Sequence, residues 1–419
     1  MGRDAVCHRI PLRYHYESSG RPVSYMQVVL LTAGEGTRMR PLTESLPKPM
    51  LPVADRPLVA HGADAAVDAG ASELILVVGY EADAVRAYFG EEYRGVPVEY
   101  AVQAEQLGTA HAVDCAREYL DGPFAVLNGD DLYDRASVDA LLSADGPAVG
   151  TYRVDDPTSY GVFEVGDGVV TGIVEKPTDP PTDLVNVGAY RFPAEAREWL
   201  DVPVSERGEH EITDVLSKVI DEHSVRTVEV ERWLGCGRPW ELLEANEWKI
   251  AELDRDVRGA VHESADLRGD VVVEEGATVD AGVVVEGPAL IREGARVGPN
   301  AYVRGATLLA ENTHVGNAVE VKNSVVMAGT HVPHHNYVGD SVLGRDVNFG
   351  AGTKVANLRH DGGDVRVTVK GERVSTGRRK FGVVAGDGAK TGINTSLNPG
   401  VKLSAGATSA PGESVTRDR

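Results

Sequence analysis

Residues 279–303 read VDAGVVVEGPALIREGARVGPNAYV, with an aliphatic residue at every sixth position. The same spacing extends in both directions over Val261, Leu267, Val273, Val279, Val285, Ile291, Val297, Val303, Leu309, Val315, Val321 and Met327. Neither an α-helix nor a flat strand has this period, and coiled-coil heptads are absent. A repeat of this kind fits a parallel β-helix of triangular cross-section, in which each flat side takes one repeat and the aliphatics stack inside. We therefore predict a hexapeptide-repeat β-helix over residues 261–419.

Two stretches interrupt the repeat. We expect the register to falter at residues 331–336 and to resume through Val338, Leu343 and Phe349. Residues 360–380 are polar and basic and end in Arg378, Arg379 and Lys380, so we expect them to protrude as a loop. A plain surface insertion is the simpler interpretation of that loop.

The preceding part of the chain has a different texture, because short apolar runs alternate with helical stretches. Residues 28–31, 74–78 and 124–127 are predicted strands, and residues 58–69 are a predicted helix. This alternation predicts a mainly parallel, Rossmann-like α/β domain over residues 26–251, followed by a linker at residues 252–260. Ligands of such sheets bind beyond the carboxyl ends of the strands. We expect residues 1–25 to be a disordered extension, with Met26 as the natural start.

The overall composition limits the partners and the compartment. The 419 residues carry a formal net charge of −22, which opposes binding to nucleic acid or to an anionic membrane. Lysine is scarce beside arginine, so we hypothesise a protein adapted to concentrated salt. Cysteine occurs only at Cys7, Cys115 and Cys236, which is too sparse for a disulfide framework and fits the cytoplasm.

A glycine-rich turn follows the first predicted strand. Residues 31–41 read LTAGEGTRMRP, and residues 47–53 read PKPMLPV. Glycines after a strand let backbone N–H groups face an anion, and Arg38 and Lys48 would add two positive charges to a bound polyphosphate. Met39 stands where a dinucleotide fingerprint needs a third glycine, and the Gly-Lys-Ser/Thr of a P-loop is missing. Both of these common phosphate-binding motifs are therefore excluded.

These residues resemble the signature of the sugar-1-phosphate nucleotidyltransferases. Gln103-Ala-Glu-Gln-Leu-Gly-Thr-Ala110 resembles the segment of that family that contacts a uracil or thymine base. The resemblance implies nucleotide contacts from Ala33, Gly34, Gly36, Thr37, Gln103, Gln106, Gly108 and Thr109. It implies sugar contacts from Gly161, Glu175 and Asn186. The implied reaction is in-line attack of a sugar-1-phosphate on the α-phosphorus of UTP or dTTP, with Arg38 and Lys48 neutralising charge.

The resemblance also implies a Mg²⁺ site. Asn128-Gly-Asp-Asp131 is similar to the segment whose aspartate, here Asp130, binds the ion. Family members often carry a second metal-binding aspartate in a Trp-x-Asp-x-Gly-x-Pro segment, but residues 233–239 place Gly235 there. Because Mg²⁺ commonly keeps waters and takes phosphate oxygens, Asp130 alone could suffice, or Asp131 could assist.

The β-helix resembles the acetyltransferase domain of the bifunctional GlmU-type enzymes, whose β-helix is left-handed. The resemblance rests on residues 317–322, 334–340 and 348–352, together with Asn357. It implies that His334 is the general base and that acetyl-CoA is the co-substrate, because an ammonium must lose a proton before attacking a thioester. It places Arg304, Lys322, Tyr337 and Asn348 around the sugar phosphate, and Asn357 and Lys390 at the amine and acetyl-CoA. It also implies a homotrimer.

Several alternatives remain open. Leu358 stands where better-known bacterial members have tyrosine, so the amino sugar could be galactosamine. A uridylyl- or thymidylyltransferase for glucose-1-phosphate with a structural β-helix is a second interpretation. A catalytically silent nucleotide-sugar-binding subunit is a third, favoured by Gly235. His331, His334 and His335 could instead form a metal site, although that would not require the surrounding Asn, Lys and Tyr residues.

Overall fold

The computed structural model describes residues 26–205 and 207–419. The expectation for residues 1–25 lies outside this part of the chain. Within it, no helix has the length and apolar character needed to span a membrane.

The first half is an α/β domain whose strands and helices alternate as the sequence predicts. The helices are α1 (Leu58–Asp68), α2 (Ala82–Phe89), α3 (Thr109–Cys115), α4 (Arg135–Leu142), α5 (Ile212–Glu222) and α6 (Pro239–Ile250). The strands are β1 (Gln27–Leu31), β2 (Pro52–Val53), β3 (Arg56–Pro57), β4 (Glu73–Val78), β5 (Glu92–Tyr93), β6 (Val96–Val102), β7 (Phe124–Asn128), β8 (Asp131–Tyr133), β9 (Ala148–Arg153), β10 (Gly161–Gly166), β11 (Val169–Glu175), β12 (Leu184–Phe192), β13 (Val225–Glu229) and β14 (Trp233–Gly235).

Ten of these strands form one sheet in the order β10-β11-β13-β9-β12-β7-β1-β4-β6-β5. The strands β7, β1, β4 and β6 run parallel, and antiparallel pairs dominate the other half. Strand β1 is apolar after Gln27 because helices cover both faces of the sheet. Val29 packs on one side, and Val28 and Leu30 pack on the other.

The second half is a β-helix whose coils stack into three parallel sheets, which confirms the predicted architecture; the last coils contribute only isolated bridges to the second of these sheets. Sheet A contains β15 (Asp256–Val257), β18 (Val271–Val273), β21 (Ala289–Ile291), β24 (Thr307–Leu309), β27 (Val325–Val326), β30 (Val342–Leu343), β34 (Val384–Ala385) and β36 (Lys402–Leu403). Sheet B contains β16 (Ala260–Val261), β19 (Thr278–Val279), β22 (Arg296–Val297), β25 (His314–Val315) and β28 (His331–Val332). Sheet C contains β17 (Asp266–Arg268), β20 (Val284–Glu286), β23 (Tyr302–Arg304), β26 (Glu320–Lys322), β29 (Tyr337–Gly339), β31 (Lys354–Val355), β35 (Ser396–Leu397) and β37 (Ser414–Val415).

The predicted column of inward aliphatics is correct up to Val321, but its last member is wrong. Val326, not Met327, joins the core of the β-helix, and Met327 packs outward against residues of the α/β domain. The strand pairings show the cause, since Leu309 pairs with Val326 whereas Ile291 pairs with Leu309. The coil is therefore one residue shorter at the corner before β27. The expected faltering at residues 331–336 is also wrong, because Val332 remains in the core.

The basic insertion is not a bare loop. Residues 366–375 form a hairpin of β32 (Arg366–Val369) and β33 (Glu372–Ser375). Val367 within β32 and Val365 just before it are buried. Arg378 pairs with Glu247 of helix α6, while Arg379 and Lys380 are exposed. The alternation of valines with polar residues explains the correction, because it is the pattern of a half-buried strand.

Helix α6 joins the two halves through a common hydrophobic core. Trp240 and Leu243 of this helix pack in one cluster with Leu308 and Val342 of sheet A and with Phe381. The segment after the glycine-rich turn also touches the β-helix, because Arg345 donates to the Ser45 hydroxyl at 2.8 Å. Lys402 Nζ donates to the Arg40 carbonyl at 3.0 Å.

Candidate active sites

A cleft of about 540 Å³ opens at the carboxyl ends of β1, β6 and β7. Its lining includes every residue for which the sequence predicts a nucleotide contact, together with Arg38, Lys48 and Asp130. The predicted members are Ala33, Gly34, Gly36, Thr37, Gln103, Gln106, Gly108 and Thr109. Asn128 and Glu209 also line the cleft, and sequence reasoning did not single them out.

The glycine-rich turn carries Arg38 and packs against Lys48, and both residues line the cleft. Gly36 has a left-handed backbone with φ 63°, and a Cβ there would lie 2.7 Å from the Lys48 Cβ. Any larger residue would therefore push Lys48 away. Lys48 is only 7% exposed, and its ammonium pairs with the carboxylate of Asp130. The cleft thus places a buried cation beside the predicted metal carboxylate.

The segment predicted to read the base is fixed by contacts with the backbone. Gly108 has φ 125°, and a Cβ there would lie 2.3 Å from the carbonyl oxygen of His210. Gln103 Nε2 donates to the Gly108 carbonyl at 3.1 Å, and Gln106 Nε2 donates to the Ala33 carbonyl at 3.1 Å. Both predicted base-reading amides therefore have their nitrogens occupied by backbone oxygens.

The metal segment has its two aspartates in different environments. Asp130 lines the cleft, whereas Asp131 is 7% exposed and accepts a hydrogen bond from Asn128 at 3.1 Å. Burial, followed by the charge of Asp130, raises the pKa of Asp131. Among the described residues, no three His, Cys, Asp or Glu side chains converge as metal ligands.

The register of β8 and β14 gives a physical reason for Gly235. Gly235 pairs directly with Asp131, and a Cβ at this glycine would lie 3.2 Å from Asp131 Oδ1. An aspartate here would bring a second carboxylate against a buried one, at a high electrostatic cost. The glycine removes that conflict.

The three predicted sugar-contact residues lie together but outside the lining of the nucleotide cleft. Gly161 pairs with Glu175 across β10 and β11, and a Cβ on Gly161 would lie 3.5 Å from the Asn186 Cβ. Glu175 accepts a hydrogen bond from Arg207 at 2.7 Å, and Asn186 donates to the Tyr190 hydroxyl at 2.7 Å.

The predicted acetyl-transfer residues divide between two sheets of the β-helix. Arg304 and Lys322 are neighbours in register on sheet C. Tyr337 lies on the next strand of sheet C, where its hydroxyl accepts a hydrogen bond from Asn357 at 3.2 Å. Burial, together with the charges of Glu320 and Asp340, raises the pKa of Tyr337.

Two acidic residues that sequence reasoning did not select pair with these cations. Glu320 lies 2.7 Å from Arg304, and the largely buried Asp340 lies 2.7 Å from Lys322. Asp340 also accepts from Asn357. Its place in the quoted segment of residues 334–340 was the available signal, but its partners belong to neighbouring coils.

Asn348 and Lys390 lie apart from this group. They continue the ladder of sheet B, in which His331, Asn348, Lys390 and Thr408 are paired in sequence. His334 lies at the corner between β28 of sheet B and β29 of sheet C. Among the described residues, its imidazole has no hydrogen-bond partner. In a single chain, the predicted acetyl-transfer residues therefore lie on two faces of the β-helix, with His334 at the corner between them. They do not enclose one site.

Comparison with known proteins finds a separate family match in each half of the chain. The family described as "Nucleotidyl transferase" matches residues 27–251, and the "GMPPB C-terminal domain" matches residues 285–385. A "Bifunctional protein GlmU" from Methanococcus vannielii is 40% identical over 90% of this chain and 92% of its own length. A "Bifunctional sugar-1-phosphate nucleotidylyltransferase/acetyltransferase" from Sulfurisphaera tokodaii is 35% identical over 94% of this chain and 98% of its own.

A third relative covers only the first half. The "UTP--glucose-1-phosphate uridylyltransferase AglF" from Haloferax volcanii is 37% identical over 53% of this chain and 96% of its own length.

Proposed function

This chain belongs to the family of the bifunctional GlmU proteins, and we propose on that premise that it catalyses two successive reactions. The first is acetyl-CoA-dependent N-acetylation of glucosamine-1-phosphate. The second is transfer of UMP from UTP to N-acetylglucosamine-1-phosphate, which releases pyrophosphate. The observation that carries the proposal is the convergence of all predicted nucleotide residues with Arg38, Lys48 and Asp130 in one cleft.

Nucleotidyl transfer in this cleft needs positioning and charge neutralisation rather than a protein nucleophile. Arg38 and Lys48 supply positive charge where the triphosphate would lie. The backbone of the glycine-rich turn can approach the phosphates closely because Gly34 and Gly36 carry no side chain. Glu175 on β11 and Asn186 on β12 supply polar groups for the sugar hydroxyls.

We infer that Asp130 would hold Mg²⁺. A cleft carboxylate beside Lys48 fits an ion that keeps several waters and takes its remaining ligands from phosphate oxygens. When bound, the ion offsets the negative charge of the phosphates. Asp131 is buried behind it and acts here as a structural neighbour of Gly235.

In the β-helix we propose that His334 takes the proton from the amine of glucosamine-1-phosphate. Lys322 and Arg304 supply positive charge for the phosphate of the sugar. Tyr337 and Asn357 supply further polar groups on sheet C. Asn348 and Lys390 face the same space only if sheet B of a neighbouring copy closes it. We therefore propose a homotrimer with acetyl sites between subunits.

We also propose a cytoplasmic enzyme adapted to high salt. The net charge of −22 is spread over a surface poor in lysine. Screening of like charges by salt should stabilise such a protein. Melting temperatures in increasing KCl test this, and a maximum in dilute buffer contradicts it.

A substrate panel tests the two activities separately. UTP or dTTP is combined with several sugar-1-phosphates and Mg²⁺ in high salt, and pyrophosphate release is measured. Consumption of acetyl-CoA is measured with glucosamine-1-phosphate and with galactosamine-1-phosphate. We expect turnover with UTP and N-acetylglucosamine-1-phosphate, and acetylation of glucosamine-1-phosphate.

Two outcomes would replace this proposal. Pyrophosphate release without acetyl-CoA consumption would indicate a uridylyl- or thymidylyltransferase with a structural β-helix, as the match to the Haloferax volcanii relative allows. Nucleotide-sugar binding without either turnover would indicate a regulatory subunit.

A further inference from the structure

The orientation of the Gln103 side-chain amide is fixed by two groups. Its Nε2 lies 3.1 Å from the carbonyl oxygen of Gly108 and 3.1 Å from Nδ1 of His111. Gln103 is 4% exposed, so a wrongly oriented amide would leave buried polar atoms unpaired, at a cost of about 1–3 kcal/mol. Only one orientation satisfies both neighbours.

The backbone determines which orientation this is. A carbonyl oxygen can only accept, so the atom that faces Gly108 must be the amide nitrogen. The second amide hydrogen then points at His111, whose Nδ1 must be the unprotonated acceptor. The proton of the neutral imidazole consequently sits on Nε2, which lies 3.9 Å from Cys115 Sγ. Gln103 Oε1 has no partner among the described residues and is the end left for a ligand.

We propose, on the basis of the nucleotide site proposed above, that His111 is a specificity-determining residue for the base. Together with the Gly108 carbonyl, it holds Gln103 Nε2 and so keeps Oε1 as the atom that meets the edge of a pyrimidine. Uracil and thymine carry an N–H at N3 and can donate to this oxygen. Cytosine carries a lone pair at N3, so two acceptors would face each other. His111 thus excludes CTP without touching the nucleotide.

Shape alone cannot supply this selection, because uracil and cytosine have nearly the same size. Discrimination between isosteric ligands is large only where a fixed donor or acceptor is left unpaired by the wrong one. Gln106 shows the contrast, since its amide is exposed and water can pair with its atoms even when the contact with the Ala33 carbonyl is broken. Of the two glutamines, Gln103 is therefore the one whose amide presents a fixed acceptor, Oε1, to the base.

Two substitutions of His111 separate its ring nitrogens. His111→Asn can place an amide oxygen where Nδ1 stands, whereas His111→Gln extends its amide toward the position of Nε2. The measured quantity is the ratio of kcat/KM for UTP to that for CTP. We expect His111→Gln to lower this ratio about 10-fold and His111→Asn to keep it within about 2-fold of the wild-type value. An unchanged ratio in His111→Gln, or an equal fall in both variants, overturns the inference.

Binding measurements on the full-length wild-type protein keep the inference testable if a variant fails to fold. Calorimetry should show UDP binding at least about 10-fold more tightly than CDP. UDP methylated at N3, which has lost the N–H, should bind as weakly as CDP. Equal affinity for UDP and either analogue would contradict the inference.

Gln103→Met distinguishes failure of the inference from failure of the proposed function. It removes the reading oxygen and should weaken UDP binding and lower selection against CDP. If UDP affinity is unchanged in Gln103→Met, the base does not lie at this segment, and both the site and the inference fail. If Gln103→Met weakens UDP binding while His111→Gln keeps the wild-type ratio, the site stands and the role of His111 fails.

Discussion

The nucleotide cleft and the β-helix site differ in how much of each one chain holds. In the cleft, Arg38, Lys48 and Asp130 come from three segments of a single domain and line one space. On the β-helix, Lys322 and Lys390 lie on different sheets, and His334 lies at the corner between them. A sheet edge gathers loops into one concavity, whereas a three-sided rod presents its residues outward. We infer that the first site is complete in a monomer and that the second needs another copy.

The substitution that we expect to separate the two activities most strongly is Asp130→Asn. Loss of the cleft carboxylate should reduce pyrophosphate release to background, because the proposed Mg²⁺ ion and Lys48 would both lose their carboxylate partner. Acetyl-CoA consumption should be unchanged, since no β-helix residue is part of the lining of this cleft. Parallel loss of both activities in a folded variant would show that the two sites are not independent.

The next largest effect is expected at the corner of the β-helix. His334→Ala should lower acetyl transfer about 10²- to 10⁴-fold, the usual contribution of a positioned general base. The residual rate should rise with pH, because more of the amine is then already deprotonated.

His335→Ala is the matched control for this change. His335 has a left-handed backbone with φ 53°, so its side chain departs from the coil in a different direction. We expect near-normal acetyl transfer in this variant. An active His334→Ala protein beside an inactive His335→Ala protein would move the base by one residue, and full activity in both would leave the β-helix a scaffold.

Mixed oligomers test whether the second site is shared. Lys322→Ala alters sheet C and Lys390→Ala alters sheet B, and each variant alone should lose acetyl transfer. Co-expression with two affinity tags should restore about a quarter of the wild-type rate, because about one in four random interfaces joins two intact faces. Arg38→Ala mixed with Asp130→Asn is the control, and it should restore no pyrophosphate release. Absence of rescue by the lysine pair would place the acetyl site within one chain.

The smallest expected effect is a difference in how strongly acid lowers the stability of the two regions. Burial lowers the pKa of His61 on α1 to about 4 from an ordinary value of 6.5. The unfolded chain therefore binds its proton first, and the stability from neutral His61 is present above pH 6.5 and lost as the pH falls toward 4. His61→Gln keeps a donor for the Val53 carbonyl without titrating, so urea unfolding should show a weaker loss of stability in acid.

His314→Gln on β25 is the matched change in the β-helix. Burial and His331 lower the pKa of His314, but this side chain lies on an outer face and is half-buried. We expect a smaller change in acid sensitivity than for His61→Gln. An equal or larger change would show that the α/β domain is not the more acid-sensitive region.

Local patterns in the sequence predicted the elements that depend on near neighbours. The sixfold spacing identified the inward residues of the β-helix, and the apolar runs identified β1, β4 and β7. The position of Met327 could not be predicted in this way, because a corner shortened by one residue leaves no mark in hydrophobicity. Only the pairing of Leu309 with Val326 reveals it.

The predicted site residues were found where the motif itself fixes the geometry. Gly36 and Lys48 lie within one turn and its continuation, so their proximity follows from chain connectivity. The pairing of Lys322 with Asp340, by contrast, depends on which coil stacks on which. The closeness of position 235 to the Asp131 carboxylate depends on an antiparallel register between segments about a hundred residues apart. Neither follows from local pattern.

The packing of helix α6 on sheet A also affects the order in which the chain can mature during synthesis. Trp240 and Leu243 leave the ribosome before Val342 and Phe381, which cover them in the folded protein. At about 5–20 residues per second, the roughly 100 to 140 residues that separate Trp240 from these two leave this apolar face only partly covered for about 5–28 s. Throughout that time the face is free to bind a chaperone or the same face of another nascent chain. Substitutions that enlarge it should therefore lower the yield of folded protein before they affect either reaction.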